Sequence, residues 1–138
     1  MPPGAAAAMF DSMPPPEPRF VDEAATPNER TYATFTHLTL LLGHATGVAI
    51  VLPALVMWLI KRKQSPFLDD HGKEAVNFQL SVLLYAIAIG IIGVPTCGAA
   101  WLLWAPLYVG SFIAVIVAAV AANKGEFFRY PACIRFIA

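Results

Sequence analysis

The stretch KRKQSPFLDDHGKEAVNFQ, residues 61–79, decides how the rest of the chain reads. It carries seven of the eighteen formally charged side chains and one of three histidines. Residues 31–60 before it and 75–123 around and after it contain no Asp, Glu, Lys or Arg. Soluble folds average nearer 25% charged residues, and this chain has 13% with 58% hydrophobic. Two uncharged blocks of that length predict a single-domain integral membrane protein. The net charge of zero hides an asymmetry: residues 1–30 hold five acids against two arginines, and the remainder carries a net +3. That balance offers nothing to a nucleic acid.

Toward the N-terminus, about thirty uncharged residues in one straight helix would run roughly 45 Å, well beyond a hydrocarbon core of roughly 30 Å. Gly43-His44-Ala45-Thr46-Gly47 supplies a break, predicting helices over about 30–42 and 48–62 with a kink at Pro53. The block is then either one broken span or a hairpin that turns back. His37 and His44 are candidate polar groups of the membrane interior, with hydrogen bonding to Thr34, Thr39 or a backbone carbonyl as the structural reading. Thr26-Pro27-Asn28-Glu29 is a helix start signal. Before it, residues 1–29 read as a proline-rich extended or disordered arm with seven of the twelve prolines, and residues 30–138 as the helical membrane domain.

Toward the C-terminus, Asp69 or Asp70 is the expected cap of a helix over 69–94. Helical spacing gathers Asp70, Lys73, Glu74, Asn77 and Ser81 into a polar stripe with Tyr85 at its edge. With Asp69, His71 and Gln79 these are the candidate interaction residues, lining a pore, receiving a partner or fixing bundle register. A tight turn at 93–98 leads past Trp101 and Trp104, an expected aromatic belt, into a helix over 99–123. Gly110, Ala114, Ala118 and Ala122 recur every fourth residue and predict a helix-packing face. The tail, 124–138, is expected to lie along the interface, with Arg129 and Arg135 paired to Asp69, Asp70 or Glu74.

The fold class expected is thus all-α, an integral membrane protein of three to four membrane-embedded helices behind an extended arm, the first two short and broken at Gly43–Gly47. Lysines and arginines cluster at 61–63, 73 and 124–135, against none near Cys97, which orients the central loop and C-terminus to the cytoplasmic side of the membrane, with the arm on that side if the first block is a hairpin. Asp70, His71 and Glu74 are the chemistry of general acid–base work, but no nucleophile, metal-ligand set or phosphate cradle accompanies them, and Cys97 and Cys133 form no cluster. No enzyme, cofactor or metal is expected.

The run Ser65-Pro66-Phe67-Leu68-Asp69-Asp70-His71-Gly72-Lys73-Glu74-Ala75-Val76-Asn77-Phe78-Gln79 resembles the signature of the Tic20-like family of small bacterial membrane proteins. Asn123-Lys124-Gly125-Glu126, Arg129-Tyr130-Pro131 and Ile134-Arg135 follow its second block. The resemblance spans roughly residues 31–138 and implies helical membrane topology of unknown function, with a distant likeness to the membrane subunit of the chloroplast import translocon. The expected role is a non-catalytic accessory subunit of a membrane complex, whose partners are the bilayer and other membrane proteins or further copies of itself. A translocation or channel component is the alternative.

Overall fold

A computed structural model describes residues 20–46 and 51–138. The regular elements among the described residues are all helices, without a strand. Most of the proline-rich arm, and Gly47 of the expected break, lie outside them.

Helix α1, Pro27–Leu38, begins with a complete capping box: Thr26 accepts from the Glu29 amide and the Glu29 carboxylate accepts from the Thr26 amide. After Thr39 the rod continues as α2, Leu40–Thr46, and the Thr39 amide still bonds to the Phe35 carbonyl. The expected break over Gly43–Gly47 is narrowed: Gly43 to Thr46 lie inside α2, and Gly47 falls outside the described residues. A mid-helix glycine costs about 1 kcal/mol, and tertiary contact offsets it here. Gly43 is buried, and His44 packs on Tyr108 and Phe112 while bonding the Ser111 hydroxyl at 2.9 Å.

Helix α3, Leu52–Lys61, returns alongside α1. The Tyr32 hydroxyl at the start of α1 donates to the Met57 carbonyl at 2.8 Å, and Lys61 lies over the Tyr32 ring. The first apolar block is a hairpin.

Helix α4, Pro66–Gly93, is capped by Ser65, whose hydroxyl accepts from the Leu68 amide, with Pro66 in the first turn. The cap expected at Asp69 or Asp70 is displaced upstream because proline suits the first helical position, where its missing N–H is no loss. A 3-10 turn, Ala99–Leu103, leads into α5, Trp104–Asn123. Trp101 and Trp104 stack and donate to the carbonyls of Gly90 and Ala86, so this aromatic pair also straps α5 to α4. Gly93 admits it: a Cβ there would fall 1.7 Å from the Trp101 indole nitrogen.

Pro66–Gly93 and Ala99–Asn123 are each long and apolar enough to cross a membrane, and in each only 33% of the most apolar stretch is buried. Leu84, Ile87, Ile91, Val109, Ile113 and Val120 stand exposed along them. A soluble core helix would hide those side chains. The charged residues gather at the opposite end of the bundle from the Cys97 turn, around the start of α1 and α4 and the end of α3 and α5.

The small-residue face of α5 divides. Ala118 and Ala122 are fully buried, and the face meets α1, with the Thr34 hydroxyl reaching the Ala119 carbonyl at 3.3 Å. Ala114 is partly buried. Gly110 has open space where a Cβ would stand, with nothing within 4 Å, and borders a cavity of about 210 Å³ with Phe78, Tyr85 and Ala132.

Candidate functional site

The polar stripe of α4 holds the C-terminal segment. Arg129 makes two hydrogen bonds to the Asp70 carboxylate, one of 2.6 Å, and lies 3.8 Å from Glu74. Glu74, almost wholly buried, accepts from the Tyr130 amide at 2.7 Å and has Arg135 at 3.7 Å. Deeper along the helix the Tyr85 hydroxyl donates to the Ala132 carbonyl at 2.6 Å. The chain turns at Pro131 and Ala132, where Ala132 takes φ 53°, and comes back. Ser81 then accepts from the Ile134 amide at 2.8 Å, and Asn77 accepts from the amides of Phe136 and Ile137 while donating to the Ile137 carbonyl.

The tail therefore runs along α4 as far as Tyr85 and returns to Asn77. Tyr85 stands eleven residues beyond Glu74, about 16 Å along the helix. Irregular backbone at such a place needs a partner for every polar group, and the stripe supplies side-chain partners at that spacing.

Not every stripe residue takes part. Lys73 and Asp69 pair with each other at 3.0 Å, and Asp69 accepts from the Trp58 indole at 2.8 Å, so Asp69 serves the α3–α4 contact and not the expected arginines. Gln79 faces the other way, donating to the Thr39 hydroxyl at 2.8 Å where α1 gives way to α2.

Beside the stripe lies a cluster that spacing along the chain did not bring together. His37 and His71, both buried, meet with Nε2 of His37 2.8 Å from Nδ1 of His71, and the Tyr130 hydroxyl is 2.9 Å from Nδ1 of His37. His71 Nε2 is buried without a well-formed hydrogen bond and faces the Glu126 backbone. Phe67 and Phe127 wall His71, and Phe78 stacks on Tyr130 at 3.8 Å. Burial pushes the Tyr130 phenol well above its ordinary value, so it is a donor at any ordinary pH; Arg129 is held above its own by Asp70. His37 thus bonds another histidine and a tyrosine, not the threonines or carbonyl expected. His44 does use a carbonyl, that of Leu40 at 3.0 Å. Among the described residues no group of three or more His, Cys, Asp or Glu has metal-binding geometry.

Residues 20–30 close over this end. Val21 and Glu126 form an isolated antiparallel bridge, Phe20 packs on Phe127, and the Arg30 guanidinium crosses Gly125, where a Cβ would meet it at 2.8 Å. Sequence reasoning missed Tyr130 as a partner of His37, Trp58 as a partner of Asp69, and Gln79 as the partner of Thr39, because these pairings are set by contacts between distant segments.

Residues 28–137, nearly the whole described structure, match the sequence model of the MamF/MmsF family, the magnetosome magnetite crystal formation protein family. The chain belongs to the MamF/MmsF family. That match replaces the Tic20-like resemblance. The residues that carried the resemblance are ones a fold of this shape needs: Ser65 as cap, Gly72 to admit Trp58, Glu74 and Asn77 to anchor the tail. Comparison of this MamF/MmsF chain with curated proteins and with solved structures returned no match.

Proposed function

We propose that this chain is a small, non-catalytic protein of the magnetosome or inner membrane that assists magnetite crystal formation as an accessory subunit, bound to other membrane proteins or to further copies of itself. The family match over residues 28–137 carries the reading. Two apolar helices with largely exposed surfaces support the membrane placement. The non-catalytic reading draws on how the polar groups are used: Asp70, Glu74, Asn77, Ser81 and Tyr85 each hold the tail, which makes them anchors. Lys61, Arg62, Lys63, Lys124, Arg129 and Arg135 at one end favour a cytoplasmic central loop and C-terminus, and with the hairpin a cytoplasmic arm.

The test is deletion of the gene in its native host, with the size and number of crystals measured by electron microscopy and restored by the intact gene. Altered crystals that recover on complementation are expected; unchanged crystals in cells lacking the protein would sink the reading. A gentle-detergent pull-down from native membranes then separates the two kinds of partner, since an accessory subunit travels in a defined complex or as a homo-oligomer and not as a monomer.

A further inference from the structure

We propose that His37, His71 and Tyr130 form a proton-operated latch, which holds the C-terminal segment 126–137 against α4 while both imidazoles are neutral and releases it when one further proton is taken up. The argument begins with where the hydrogens lie. The Glu126 amide is already bonded to the Ala121 carbonyl at 2.9 Å, so the backbone group that Glu126 turns toward His71 Nε2 is its carbonyl, which only accepts. Nε2 of His71 therefore carries the hydrogen and its Nδ1 is bare. That bare nitrogen accepts from Nε2–H of His37 at 2.8 Å, and Nδ1 of His37 accepts from the Tyr130 hydroxyl at 2.9 Å. One hydrogen occupies each contact, and all point the same way.

A further proton has no place in that arrangement. On Nδ1 of His71 it faces the N–H of His37. If His37 moves its own hydrogen to Nδ1, that hydrogen faces the Tyr130 hydroxyl, whose hydrogen must then rotate away from its acceptor. Either way a positive charge and a stranded donor sit among Phe67, Phe127 and Phe128. The charged and titratable neighbours are Asp70 and Glu74 from α4, and Glu126, Arg129 and Cys133 from the tail; α1 contributes His37 and, over Gly125, Arg30, and α5 presents alanines. Both carboxylates are engaged, Asp70 by Arg129 and Glu74 by the Tyr130 amide with Arg129 and Arg135 nearby. If either turns to an imidazolium it lets go of the tail. Each route out of the protonated state thus loosens the same segment.

The tail contains its own reporter. Cys133 is partly buried against Ser81, while Cys97 is exposed in the turn at the far end. Full-length protein in detergent is reacted with dithiodipyridine, which attacks thiols in mild acid, and the rate at Cys133 is divided by that at Cys97. In the native sequence the ratio should rise several-fold between about pH 7.5 and about pH 4, because burial of the pair moves proton uptake below the ordinary histidine range. Tyr130→Phe should raise it already at the upper pH, and the double variant His37→Gln, His71→Gln should show no rise. A flat ratio in the native protein, or an equal rise in the double variant, overturns the latch. Nitrogen-15 spectra of the native histidines test it without any variant: both rings should be Nε2-protonated at neutral pH, and either ring found as the Nδ1–H form would end the proposal.

Discussion

Asn77 shows how one side chain can fix a segment sixty residues away. Its amide accepts twice and donates once to the backbone of Phe136 and Ile137 at 2.9–3.0 Å, in a place from which water is largely excluded. Asn77→Ala should cost about 1–3 kcal/mol, since the buried amides are left unsatisfied, and should expose the tail to carboxypeptidase at neutral pH; thermal unfolding in detergent and mass analysis of the digest measure both. Arg129→Glu should loosen the same segment through repulsion with Asp70, and Asp70→Arg in the same chain should recover protease resistance. Because Arg129 and Asp70 are partly exposed, the direct effect on stability should stay near about 1 kcal/mol or below. Glu29 adds a pH dependence. Its carboxyl is held below its ordinary value by the Thr26 amide, so the stability it lends is present above the unfolded carboxylate range and is lost as pH falls through its folded value. Glu29→Gln should flatten the acid limb of the unfolding midpoint against pH, provided only that limb is compared.

At the scale of elements, the two tryptophan contacts with glycine set how closely helices approach. Trp101 crosses Gly93, and Trp58 crosses Gly72, where a Cβ would lie 2.3 Å from the indole. Gly93→Ala or Gly72→Ala should lower stability by about 1–3 kcal/mol through overpacking, and trimming the facing tryptophan to leucine should recover part of the loss; thermal midpoints of single and paired variants decide it. The extent of α4 and α5 was legible in the sequence because uninterrupted apolar runs leave few alternatives to a helix. The polar stripe was legible too, from its helical spacing. The sequence also put Arg129 and Arg135 against its carboxylates, but not the tail backbone that Asn77 and Ser81 bind, since any sequence offers backbone. Gly43 misled for a related reason: local propensity favoured a break from Gly43 onward, and packing of His44 against α5 carries the helix on to Thr46. The His37–His71 contact joins helices that no periodicity relates.

For the molecule as a whole, the one-ended distribution of charge makes a prediction about sidedness. A membrane-impermeant thiol reagent applied to intact cells and then to inverted membranes should reach Cys97 from one side and a cysteine placed at Lys63 or Glu23 from the other; labelling of all three from one side would exclude the two-span arrangement. The family match and the apolar faces agree on a membrane protein, and neither was contained in any single residue.

The returning tail also bears on the order in which the protein is made. α4 is synthesised before Tyr130, Ile134 and Ile137, so Glu74, Asn77 and Ser81 are made without the partners they later hold. Until residues 130–137 follow, that helix carries a row of unmet polar groups. A chain stopped after Asn123 would keep both long apolar helices and leave Glu74, Asn77 and Ser81 without those partners, so residues 126–137 finish α4 rather than merely follow it.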